Sequence, residues 1–375
     1  MQTNSLRIVV LLLVVIATFL IPPPTYAQAY YFSDSWIGGG GNDYWSNPAN
    51  WSDSISGYPN NTSSELFLVT IDSGHTDSVI LDTGVTIDSL VLGSGAGSSV
   101  STLTLCDCVF DIDGPLTVNR TGRLDSSEGG TRLRVTGNTV VDGRINDSLG
   151  TMAFKSLTNS GTITIYGSGT LPSKLTAASV TNSGIVELTG RSTLNCGGIY
   201  TQTKGITFIG GSPVGAITGP AEIEARSFSI SGGTLGGAGY IEGDVYASGG
   251  KIAPTQASLS TMVVFGEFSQ GNDKSEIAET FGTDPANYPF TTATTAFLTV
   301  TGSAYVNGTL TVAEPSGYTP FIGQTTPVVV SDSGIAGTFT KLNLPALPAG
   351  DTWQINYNAV YDDHPAIVIT VVTAE

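Results

Sequence analysis

From Ser63 to Pro254 the chain alternates apolar and polar residues in short runs: ELFLVTI, SVILD, VTIDSLVLG, STLTL, LTVN, LRVTG, TITIYG, IVELTG, ITFIGG. Each run ends at Gly, Asn or Asp. A period of two with turn residues at both ends predicts half-buried strands, and Gly and Asn supply the positive-φ corners between them. Two of these stretches repeat one another: SLTNSGTITIYGSGTL, from Ser156 to Leu171, and SVTNSGIVELTGRSTL, from Ser179 to Leu194, are 23 residues apart. Gly205 in TKGITFIGG continues the series from Gly161 and Gly184, and SGG recurs at Ser231 and Ser248. Repeats of this length, built of short strands and tight turns, predict coils of a solenoid in which each strand pairs with the one a coil below. The uneven steps predict corners of variable length.

The alternation changes at both ends. Residues 30–62 are rich in aromatics, Gly and Asn (WIGGGGNDYWSNPANWSDSISGYPNN), which predicts an N-terminal cap over the first coil. Residues 255–375 carry longer strands, such as TAFLTVTGSAYVNGTLTVA, and a polar Pro-containing stretch, which predicts a separate C-terminal β-rich unit. Bare solenoid ends invite aggregation, so both segments are expected to act as plugs. Residues 1–29 predict a signal peptide: Arg7, then an apolar run from Ile8 to Ile21, then three prolines, with cleavage after Ala29 favoured over Ala27. The expected organisation is therefore 1–29 signal peptide, 30–62 cap, 63–254 solenoid and 255–375 C-terminal unit. Its expected location is extracytoplasmic, secreted or at a cell surface, with no membrane span after cleavage.

Composition supports strands over helices and narrows the partners. Only 12% of residues are charged and 47 are Gly. Fourteen basic against 31 acidic side chains give a net charge of -17, which disfavours nucleic acid and anionic lipid. An extracellular glycan or a cell-surface protein fits better. Cys106, Cys108 and Cys196 are too few for a disulfide scaffold. Cys106 and Cys108 flank Asp107, so on a strand they would share one face, where a bridge would close a small strained ring. They are expected to fill the coil interior. No cofactor and no obligate metal is predicted; His75 and His364 lack zinc-like spacing from the cysteines and are expected on the surface.

The run GGTLGGAGYIEGDVYASGGKIAP, from Gly232 to Pro254, resembles the autotransporter-associated β-strand repeat of secreted bacterial surface proteins. MVVFGEFSQ, FLTVTGSAYVNGTLTVA, GTFTKLNLPALPAGDTWQINYNAV and the opening WIGGGGNDYWSNPANWS are similar to segments of large exported proteins of that type. The resemblance implies an all-β, right-handed parallel β-helix with a structural or adhesive role, and it brings no catalytic residues. The segment after Pro254 lacks the length and aromatic girdles of a translocator barrel, so self-transport is not expected.

Two other roles have candidate residues. A polysaccharide lyase or hydrolase would use clustered carboxylates with a basic group; Asp111, Asp113, Arg132, Arg134 and Asp142 form the densest charge. Ordinary outer-wall ion pairs are the plainer reading of the same residues. A carbohydrate-binding module would use Trp36, Tyr44, Trp45 and Trp51, whose rings stack on sugars if exposed and form a lid if buried. A non-catalytic scaffold presenting an outer binding face is the reading the sequence favours.

Overall fold

A computed structural model describes residues 29–53, 57–126, 129–168, 170–210, 221–254, 262–280, 297–314 and 319–374. The leader expected over residues 1–29 lies outside them, apart from Ala29. Among the described residues no helix is long and apolar enough to cross a membrane.

The alternating runs stack as parallel strands, and the chain is a parallel β-helix. Each coil makes three runs. Strands Val109–Ile112, Leu116–Val118 and Gly122–Ser126 form one coil; in the next, Arg132–Val141 covers the first two runs and Arg144–Ser148 the third. One strand serves two walls because a register shift between Val135 and Asn138 bends it. Similar shifts occur between Cys196 and Ile199 and between Glu224 and Ser227. A bulge turns a strand without breaking its ladder, which makes it the economical corner here.

Alternation puts Leu, Ile and Val inside on every wall. Leu103, Leu124, Ile145, Ile163, Val186 and their neighbours are fully buried, and each such side chain stabilises the fold by about 1.5–3 kcal/mol relative to exposure. The duplicated TNSG motif has a specific task at one corner. Asn159 and Asn182 point inward on successive coils, and the Asn159 amide donates to Asn182 Oδ1 at 2.9 Å. Asn182 donates in turn to Thr207 Oγ1 at 3.2 Å, and Gln202 follows one coil on. The amide N–H groups of this ladder find acceptors inside the coil where an apolar interior offers no water, although Asn159 Oδ1 has no partner among the described residues. The glycines of the same motif stack just outside: a Cβ at Gly184 would collide with the Gly161 carbonyl, and one at Gly205, where φ is +66°, with the Gly184 carbonyl. Only glycine permits so close a stack.

The expected boundary after residue 254 leaves no break in the pairing. Tyr240–Ala247 pairs parallel with Met262–Phe265 and Phe268–Gln270, Gly250–Pro254 with Ser275–Thr280, and the stack continues to Lys341–Asn343. Composition shifts there, but Leu298, Val300, Ala304, Val306, Leu310 and Val312 still alternate inward. The change of direction comes later. His364–Thr373 lies antiparallel on Thr325–Ser331, and Asp351–Tyr361 lies antiparallel on its far side. At the other end Tyr30–Ser35 already pairs parallel with Glu65–Ile71, so the expected cap contributes a rung before it covers one.

Candidate functional site on the outer wall

The register that builds the wall decides which charges meet. Arg132 stands between Val109 and Thr151, and Arg134 between Asp111 and Ala153. Arg134 Nε reaches Asp111 Oδ1 at 2.7 Å, and its Nη2 reaches Asp113 Oδ1 at 3.5 Å. Asp111 holds the Arg134 guanidinium above its usual pKa, mainly through that hydrogen bond. Three of the five expected residues therefore come together, with the Arg134 charge offsetting one of the two carboxylates, and a partly exposed ion pair of this kind contributes about 0–1 kcal/mol. Asp142 sits apart at a corner, where it accepts from Ser160 Oγ at 3.2 Å. His75 and His364 are exposed; His364 Nδ1 lies 3.0 Å from Asp332 Oδ1.

The N-terminal aromatics divide. Trp36, Trp45 and Trp51 are 3%, 0% and 1% exposed, whereas Tyr44 is 46% exposed. Trp51 takes Trp36 and Trp45 edge to face at centroid distances of 5.2 and 4.6 Å, and Trp45 continues onto Phe110. Trp51 Nε1 donates to the Trp45 carbonyl at 2.8 Å and Trp45 Nε1 to the Pro59 carbonyl at 3.0 Å, so both indoles are satisfied from within. These three rings lid the first coils and offer no outer plane to a sugar.

The cysteines also divide. Cys196 faces the core, but Cys106 and Cys108 are half-buried at a corner between Ser101–Leu105 and Val109–Ile112, not on one strand. Asp107 between them has φ +38°, so the shared strand face expected from their spacing does not form.

The outer wall holds a second acidic group that the density of charge along the sequence did not reveal. Glu222 and Glu224 lie on Glu222–Ile230, and Glu242 stacks directly on Glu224 from the next coil. The three offer carboxylate oxygens within 4.8 Å of one another. Burial, then the Glu242 carboxyl, then the Glu224 charge raise the Glu222 pKa to about 7, while Lys174 opposes the rise. The Asn195 amide donates to Glu224. An open depression of about 500 Å³ lies beside them, lined by Asn195, Cys196, Gly197, Glu224, Ala225, Arg226 and Glu242. Its floor is the bulge at Gly197, where a Cβ would meet nothing closer than 3.9 Å. Carboxyls so placed can share a proton or hold a cation. The repeat itself conceals the group: Glu224 lies one residue further from its SGG than Glu242 does, so the two come level only through the register shift between Glu224 and Ser227.

Two further acids are internal. Asp147 points into the core beside Ser126 and Ser173, and burial lifts its pKa to about 6 against the pull of those hydroxyls. Glu279 is buried with no hydrogen-bond partner for either oxygen and is pushed well above the ordinary carboxylic range. No family model matches this sequence and no curated protein matches it, so the chemistry of the wall stands on its geometry alone.

Proposed function

We propose that the chain is a non-catalytic, exported β-solenoid of the bacterial surface-protein type, a scaffold that presents its outer walls to a glycan or a cell-surface protein. The observation that supports this most is the uninterrupted parallel stack, lidded by tryptophans at one end and by an antiparallel hairpin at the other. Inner positions and corners are taken up with folding, and Arg134 offsets one of the two charges of Asp111 and Asp113. Outward residues remain as the free chemistry. Export follows from the leader-like residues 1–29, and the surface role from the resemblance of the Gly232 to Pro254 repeat.

The test has two parts. N-terminal sequencing of the chain recovered from its own host is expected to give an extracytoplasmic protein starting at Gln28 or Tyr30. A glycan array and an absorbance assay for unsaturated product on acidic polysaccharides are expected to give binding without turnover. Turnover abolished by Arg132→Ala would overturn the scaffold reading in favour of a lyase on that wall.

One observation favours a second reading, a polysaccharide-active enzyme centred elsewhere. Glu222 is half protonated near neutral pH beside Glu224 and Glu242, an arrangement suited to a general acid with a carboxylate partner. Hydrolysis lost in Glu222→Gln while Arg132→Ala keeps it would establish this alternative.

A further inference from the structure

The corner at Cys106, Asp107 and Cys108 is built with more care than its spacing in the sequence suggests. The Cys108 thiol donates to the Leu81 carbonyl at 3.3 Å, and the Cys106 N–H approaches the same oxygen at 3.4 Å. One carbonyl oxygen thus gathers the Cys108 sulfur and the Cys106 backbone N–H at the same corner. Asp107 takes φ +38° between them, and its carboxylate fills the place above Gly130 where a Cβ would otherwise project. The turn is clamped from both sides by Leu81 and Gly130. An extended Cys-x-Cys segment would spread its two Cα atoms beyond bridging range; a tight turn shortens that separation.

We propose that Cys106 and Cys108 are a reversible dithiol/disulfide couple that exchanges with small-molecule disulfides at the solvent-facing corner of the coil. Both residues are half-buried, whereas Cys196 is buried. Burial raises the Cys108 pKa and its S–H is given to the Leu81 carbonyl, which suits Cys108 to closing the bond in the second step. The Cys106 thiolate attacks one sulfur of an external disulfide RS–SR, forming a mixed disulfide and releasing RS⁻. The Cys108 thiolate then attacks the Cys106 sulfur, closing the Cys106–Cys108 bond and releasing the second RS⁻. Two protons leave the cysteines and end on two RSH, and two electrons pass to the external disulfide. A ring this small stores strain, which makes the bond oxidising and easily reopened.

Incubation of the full chain with oxidised glutathione, followed by proteolysis and mass spectrometry, tests the couple. The peptide holding Cys106 and Cys108 is expected to lose two hydrogens and carry no glutathione, to regain them with a reduced thiol, and to leave the Cys196 thiol unchanged throughout. Cys108→Ser is expected to trap one glutathione on Cys106. Two retained thiols, two glutathiones on the parent peptide, or a disulfide between chains would each overturn the proposal. All three outcomes are read on the unsubstituted protein, so none depends on a variant folding.

Discussion

Asp147→Asn should make this protein less sensitive to pH, and more stable at neutrality. Asp147 is wholly inside the coil, and its neighbours Ser126 and Ser173 are hydroxyls that cannot neutralise it. A Cβ built on Gly150 would lie 2.5 Å from Ser126 Oγ and 2.7 Å from Asp147 Oδ1, so both oxygens face the same small space. The folded chain therefore favours the protonated acid, with a pKa raised from 3.8 to about 6. Below about pH 4 the group holds its proton in both states and costs nothing. Between about pH 4 and 6 the unfolded chain releases the proton while the folded chain keeps it, and stability falls by about 1.4 kcal/mol per pH unit. Above the folded value the loss levels off at about 3 kcal/mol.

An amide has no charge to bury and offers an N–H donor to Ser126 or Ser173, so Asp147→Asn removes that loss. Urea unfolding of both proteins from about pH 4 to about pH 8, at constant salt, gives the difference directly. Coils that unfold separately would spoil a two-state fit, so backbone hydrogen exchange in strand Arg144–Ser148 is the better probe. The difference between variant and parent should rise by about 3 kcal/mol over that range and stay flat above it. A difference independent of pH would refute the burial account of this residue.

Other substitutions separate the roles of corner, lid and wall. Gly184→Ala drives a methyl into the Gly161 carbonyl and should cost several kcal/mol in denaturant titration, whereas Gly197→Ala enters open space and should change stability by less than about 0.5 kcal/mol. Trp51→Ala removes the ring that joins Trp36 to Trp45 and should cost about 3–5 kcal/mol, most visible as faster exchange in Tyr30–Ser35 and Glu65–Ile71. Arg134→Ala breaks only a partly exposed pair and should cost less than about 1 kcal/mol, an effect that shrinks in high salt.

The coil was readable because stacking imposes a rule on every strand: apolar inward, Gly or Asn at the corner. The TNSG pair is the clearest case, since Asn159 and Asn182 meet inside one corner and Gly161 and Gly184 stack at the same place. The tryptophans were legible as a group, but whether they faced in or out depended on Pro59, whose carbonyl takes the Trp45 N–H from a distant part of the loop. Past residue 254 the texture of the sequence changes while the alternation persists; Leu298 and Val300 obey the same inward rule as Leu103 and Leu105. The Asp111 and Arg134 contact needed only the coil step, but the fate of Cys106 and Cys108 turned on one positive φ at Asp107 that no alternation pattern encodes.

Register also explains why the acidic trio exists at all. Two carboxylates repel, and a wall that stacks Glu242 on Glu224 with Glu222 beside them works against its own stability unless a proton or a cation intervenes. The stack could have avoided this by a slip of one residue in the corner at Gly232 and Gly233, but those glycines are pressed against the carbonyls of Thr203 and Gly205, and a slip would turn Ile223 and Ile241 outward. The hydrophobic register is worth several buried side chains, whereas the repulsion is relieved by the single proton that Glu222 retains to about pH 7. Core packing therefore sets the wall's pattern, and the wall's chemistry is what side chains do once the core has fixed their neighbours. A ligand for this protein is accordingly to be sought where outward residues conflict with each other, at Glu222, Glu224 and Glu242, more than where they agree, at Asp111 and Arg134.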